Sequence, residues 1–163
     1  MSAAGTLDLD VSYASRKPWV PARRRLEVWA RAALAGGERI GLRHRAIAGR
    51  DVLSVRVVGR AASRSLNARF RNRPRPTNVL SFQGAGLLPD GAHDLGELVI
   101  CAPLVAVEAR AQRKPLAAHW AHLTVHGVLH LLGLDHQAPE EASRMEAIET
   151  QILDRFGFSD PYG

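Results

Sequence analysis

The chain has 163 residues, 46% of them hydrophobic and 23% charged, which suits one domain, expected over 1–163, with a sizeable buried core. Its single cysteine, Cys101, excludes an internal disulfide framework and a four-cysteine zinc site. No stretch approaches the roughly 18 consecutive apolar residues of a membrane span. The first ten residues lack a basic start followed by an apolar run, so the expectation is a soluble, cytoplasmic protein.

The net charge of +6 comes from 22 Lys and Arg against 16 Asp and Glu, and it is unevenly spread. Residues 116–163 carry an acidic excess, whereas eleven arginines fall within 39–75 beside a single acid, Asp51. The guanidinium fork suits phosphate oxygens, and a basic field of this size favours a polyanion such as nucleic acid.

In chain order, Leu7, Leu9, Val11 and Tyr13 alternate with polar residues and predict a first strand. Pro18 and Pro21 precede a helical run through Leu26, Trp29, Ala30, Ala33 and Leu34, which Gly36-Gly37 is expected to stop. Val52 to Val58 reads as a second strand, and Ser63 to Phe70 as a short helix. A proline-bracketed arginine loop, Arg71 to Pro76, leads into a third strand over Val79 to Phe82. The Gly- and Pro-rich residues 83–94 read as a loop. Leu95 to Cys101 is a fourth strand, and three helices follow, opened near Pro103, Pro115 and Pro139. Trp19, Trp29 and Trp120 read as core. The fold class expected is α+β: one mixed four-stranded sheet packed with about five helices.

Five of the seven histidines lie in 119–136. His126 and His130 are four residues apart, so on a helix they share one face about one turn apart. Gly133 can take a positive φ and end that helix, letting the chain turn back and present His136 as a third ligand. Three histidines with one open position is the catalytic zinc pattern rather than the structural one. Metzincin peptidases share the ligand spacing but carry a glutamate, their general base, directly after the first histidine. Here that position is Gly127, which argues against a peptidase.

On these residues the sequence resembles the YbeY family of bacterial endoribonucleases. His126 to His136 matches the family's three-histidine signature. Leu66-Asn67 with Phe70-Arg71, continuing into Pro76 to Phe82, matches a second. Gly96 to Ile100 matches a third, and Met145-Glu146 with Glu149 resembles its last helix. The matches cover most of the chain from Val52 onward. The resemblance implies one zinc ion on His126, His130 and His136, and single-stranded ribosomal RNA as substrate. It also implies a role in maturing the 3′ end of the small-subunit RNA and in ribosome quality control, and association with ribosomal proteins and an assembly GTPase. It places the family's functional arginine at Arg71.

The expected roles follow. Zinc would activate the nucleophile, and Arg71 would meet the negative charge that develops on phosphorus. Arg69, Arg73 and Arg75 would line the groove by which RNA enters, with Asn78 a further RNA contact. Asp135, His122 and Glu97 are candidates to support the metal site from outside its ligand set. With aromatics at only 6%, no stacking platform for bases is evident, so recognition should lean on phosphates. Two other readings compete with the nuclease. One is an RNA- or ribosome-binding assembly factor whose metal only holds the fold. The other is a metallopeptidase that takes its base from elsewhere.

Overall fold

A computed structural model describes residues 5–42, 49–134 and 137–162. Four strands form one sheet: β1 (Thr6–Tyr13), β2 (Arg50–Val58), β3 (Val79–Leu87) and β4 (His93–Cys101), in the order β1-β2-β4-β3. β1 runs parallel to β2 and β2 parallel to β4, while β3 closes antiparallel on β4. Five helices accompany it: α1 (Arg23–Arg39), α2 (Arg60–Arg71), α3 (Ala102–Ala111), α4 (Leu116–Leu131) and α5 (Pro139–Asp154). The architecture is the α+β fold that the alternation of patterns predicts.

Period-two alternation decides which face each strand residue serves. Leu53, Val55 and Val57 of β2 and Leu98 and Ile100 of β4 join the main core with α1, α4 and α5. Val58, Val99 and Leu80 point the other way, into a smaller cluster with Leu66 of α2 and Phe82. α2 therefore covers one face of the sheet and α4 the other. α4 is apolar on most of its circumference, with Trp120, Leu123, Val125, Val128 and Leu129 all buried. It is the central helix of the larger core.

Three expectations need correction. Gly36 and Gly37 do not stop α1, which continues through both to Arg39. They are places where α1 comes close to its neighbours. A Cβ on Gly36 would stand 2.8 Å from Ile152 Cδ1, and one on Gly37 would stand 2.5 Å from Leu132 Cδ1. Residues 83–94 are mostly hairpin rather than loop: β3 extends to Leu87 and β4 begins at His93. The glycines there serve a register shift between Gln83 and Gly86, where the strands are irregular. Trp19 is not core. It is 46% exposed, with the Arg25 guanidinium over its ring at 5.8 Å, whereas Trp29 and Trp120 are buried as expected.

Candidate metal and RNA site

The helix that carries the histidines ends as the sequence predicts. Gly133 takes a φ of 102°, its N–H donates to the His130 carbonyl at 2.9 Å, and the Leu134 N–H donates to the Leu129 carbonyl at 3.1 Å. This pair of bonds satisfies the last carbonyls of α4 and needs a residue tolerant of positive φ. Upstream, His122, His126 and His130 follow one another at four-residue spacing, each half-buried in a helix otherwise sunk in the core. The His126 and His130 rings lie 4.8 Å apart, and those of His122 and His126 6.0 Å apart. Asp135 and His136, the supporting group and third ligand expected after the turn, lie outside the described residues.

A carboxylate that sequence reasoning left without a role organises this row. Glu149 of α5 is fully buried, yet it is ionised at neutral pH. Burial pushes its carboxyl up, but hydrogen bonds from His122, His126 and Tyr162 outweigh this and bring it down to about 2. His126 Nδ1 meets Glu149 Oε1 at 2.5 Å, and His122 Nε2 meets Oε2 at 3.1 Å. The Tyr162 hydroxyl donates to the same Oε2. For His122, burial holds the imidazole below its usual range, although Glu149 pulls the other way. The donor atoms of His122, His126 and Glu149 all lie within 4.8 Å of one another, a cluster that could hold a metal ion.

Opposite α4 stands the arginine loop. Asn72 ends α2 in the left-handed conformation, with φ 56°, a state that asparagine tolerates better than most residues. Ser63 and Asn67 of α2 then pin the loop. The Ser63 hydroxyl donates to the Thr77 carbonyl and accepts from the Thr77 N–H, both at 2.9 Å, and the buried Asn67 amide donates to the Arg75 carbonyl at 2.8 Å. Between loop and helix lies a cavity of about 720 Å³. Arg71, Arg73 and Asn78 line one side and His122, His126 and His130 the other, with Ser81, Gln137 and Tyr162 between them. Among the described residues no carboxylate is in this lining, and neither arginine has an ion-pair partner.

The remaining candidates are placed differently. Asn78 reaches the cavity wall, but its amide is engaged within the protein: Nδ2 donates to Glu108 of α3 at 3.1 Å, and Oδ1 accepts from the Val79 N–H at 2.7 Å. Arg69 packs over the Phe70 ring at 5.3 Å, and Arg75 contributes its carbonyl to the loop. Neither side chain is in the cavity lining. Glu97 does not support the metal site. Strand alternation sends it to the face opposite α4, where it pairs with Arg56 at 2.8 Å. Tyr162 is the unforeseen aromatic: it is 45% exposed and lines the cavity.

The family model described as Endoribonuclease YbeY matches residues 17–157. The chain belongs to the YbeY family. Relatives named Endoribonuclease YbeY include one from Alkalilimnicola ehrlichii, 48% identical over 98% of this chain and 93% of its own length. Another from Bordetella avium is 51% identical over 96% and 93%, and one from Bordetella pertussis is 49% identical over 98% of each. The likeness to YbeY proteins thus reaches well upstream of Val52, where the sequence motifs begin. The solution structure of TM1509 from Thermotoga maritima shares the fold, with a TM-score of 0.56 at 20% identity over 95% of this chain and 99% of that one.

Proposed function

We propose that this chain is a metal-dependent endoribonuclease that cuts single-stranded RNA, with ribosomal RNA as its substrate. The supporting observation is one cavity that sets an imidazole row against two arginines that have no acidic partner among the described residues. Family membership supplies the reaction type. In the same reading, the RNA cut is the small-subunit ribosomal RNA near its 3′ end, and ribosomal proteins and an assembly GTPase are its partners. The reading also takes 1–163 as one domain, working in the cytoplasm.

The donor set suits a zinc ion on His126 and His130, with His136 as third ligand. Imidazole nitrogen is a preferred zinc donor. Glu149 occupies His126 Nδ1, so Nε2 is the nitrogen His126 would present, and a carboxylate behind a histidine ligand is the usual support. When bound, zinc would lower the pKa of a water to about 7 and polarise a phosphoryl oxygen.

The other tasks fall to the chain's own side chains. Strand cleavage passes through a five-coordinate phosphorus with more negative charge than the starting diester. Arg71, at the end of a pinned helix, offers a planar donor fork to that charge. Arg73 holds a neighbouring phosphate. Glu149 keeps the His126 ring in one orientation and one tautomer. Position 127 cannot supply the metzincin base: it faces the sheet, where a Cβ would already stand 2.7 Å from Leu98 Cδ2, so a peptidase would have to take its base from another element.

Metal analysis paired with cleavage of single-stranded RNA tests the proposal. Wild type should bind one zinc per chain and cut RNA. His130→Ala should lose both, and Arg71→Ala should keep the metal while kcat falls. A His130→Ala protein that folds, binds RNA and supports ribosome maturation like wild type would instead make this a binding factor in which the metal is not catalytic.

A further inference from the structure

We propose that Tyr162 is a positioning residue for the metal site: its hydroxyl, and the turn that carries it, hold the Glu149 carboxylate against His126 and so fix the nitrogen that His126 presents to the ion. The inference rests on the reading of His126 as a ligand.

The geometry forms a chain of contacts with Tyr162 at its outer end. Glu149 is fully buried, and a buried carboxylate stays charged and oriented only while donors surround it. One of its oxygens serves His126, and the other is shared by His122 and the Tyr162 hydroxyl. Without that hydroxyl the second oxygen keeps one donor, and the carboxylate gains freedom to rotate away from His126.

Tyr162 is itself held at two further points, and the residue that holds its N–H lies against α5. Its N–H donates to Asp160 Oδ1 at 2.8 Å. The Thr150 hydroxyl of α5, whose shorter bond goes to the Glu146 carbonyl at 2.8 Å, lies 3.3 Å from that same oxygen, and the ring stands edge-on to His122 at 5.4 Å and 86°. The segment after α5 thus folds back on α5, meeting it at Glu149 through Tyr162 and at Thr150 through Asp160. The ring also forms part of the wall between the main cavity and a neighbouring one of about 420 Å³, so removing only the hydroxyl leaves the RNA-facing surface in place.

Groups that orient a metal ligand from behind typically change metal affinity by about 10–100-fold when lost. Tyr162 acts one hydrogen bond further out, so an effect of about 3–10-fold is expected. The experiment measures zinc affinity by chelator competition and the cobalt(II) absorption spectrum on the full chain. It compares wild type, Tyr162→Phe, Asp160→Ala and His130→Ala, with melting of the metal-free proteins alongside. Tyr162→Phe should bind zinc about 3–10-fold more weakly, with an altered cobalt spectrum, a metal-free melting temperature close to wild type and an unchanged KM for RNA. Asp160→Ala, which frees the turn but keeps the hydroxyl, should show a smaller loss in the same direction.

Zinc affinity in Tyr162→Phe within twofold of wild type, or tighter, overturns the inference while His130-dependent binding stands. The tighter outcome would mean that Glu149 is itself a ligand and that Tyr162 competes for it. Wild type without any His130-dependent zinc binding overturns the metal reading, and this inference with it.

Discussion

Substituting Gly127 by alanine tests whether the spacing between the metal-site helix and the sheet is set by the missing side chain. A Cβ at this buried position would stand 2.7 Å from Leu98 Cδ2 and 3.1 Å from Cδ1. Leu98 is itself fully buried, so it cannot yield by swinging into solvent. Overpacking of this kind costs about 1–3 kcal/mol, while alanine for glycine inside a helix returns about 1 kcal/mol. Gly127→Ala should therefore be destabilising by about 0–2 kcal/mol. Leu98→Ala alone should cost about 2–5 kcal/mol through the cavity it leaves. In that background the clash is gone, and Gly127→Ala should now stabilise by about 1 kcal/mol. Urea denaturation of the four proteins closes the cycle, with an expected coupling of about 1–3 kcal/mol. A Gly127→Ala protein more stable than wild type by about 1 kcal/mol, with an additive cycle, would refute the argument. α4 would then owe its position to something other than a bare backbone against Leu98.

Further expectations concern the cavity walls. Glu108 is raised by burial but lowered further by hydrogen bonds from His119 and Asn78 and by the nearby charges of His119 and Lys114, for a net pKa below its ordinary 4.5. A carboxyl depressed in the folded state contributes stability that is present above about 4.5 and lost as pH falls through the lower folded value. The melting-temperature advantage of wild type over Glu108→Gln should therefore shrink below about pH 4.5, and an advantage independent of pH would count against the pairing. Asn67→Ala removes the buried donor to the Arg75 carbonyl, which should cost about 1 kcal/mol and speed tryptic cleavage after Arg71. If RNA lies along the arginine loop, its affinity should fall steeply with salt. Removing Arg71 and Arg73 together should then reduce the log–log slope by about 1.4, two phosphate contacts at about 0.7 each.

How much of this was legible in sequence depends on whether the signal is local. His126, His130 and Gly133 are read from spacing alone, because helix periodicity places the rings and only a residue tolerant of positive φ ends the helix that way. The faces of β2 and β4 follow from alternation, whereas the strand order β1-β2-β4-β3 is set by pairing between distant segments. The glycines misled in two directions. Gly36 and Gly37 look like a helix stop, yet they mark where α1 approaches Ile152 and Leu132, contacts more than ninety residues away. The glycines of 83–94 look like a loop, yet they sit in and around an irregular hairpin. Glu149 shows the harder limit. On α5 it is one acid among several, and although its spacing from Met145 and Ile152 puts it on the apolar face of the helix, that spacing does not name its partners. Its role exists only because α5 packs beside α4, twenty-three residues from His126 along the chain. Glu97 failed for the complementary reason: its motif was recognised, but strand parity puts it on the wrong face.

The two walls of the cavity are held by different forces, and this bears on how it would work. The histidine wall belongs to a helix with ten buried residues, so moving it means disturbing the main core, and its geometry should persist until global unfolding. The arginine wall is a loop fixed by Ser63, Asn67 and the left-handed Asn72, a few hydrogen bonds each worth about 1 kcal/mol. Such a segment opens locally at far lower cost than the helix opposite. A metal site needs ligands held to a fraction of an ångström, whereas a channel for single strands must admit bases of different size. Hydrogen exchange should therefore show the amides of 72–77 exchanging well before those of 120–131, and equal protection of the two segments would show that the arginine wall is no softer than the helix.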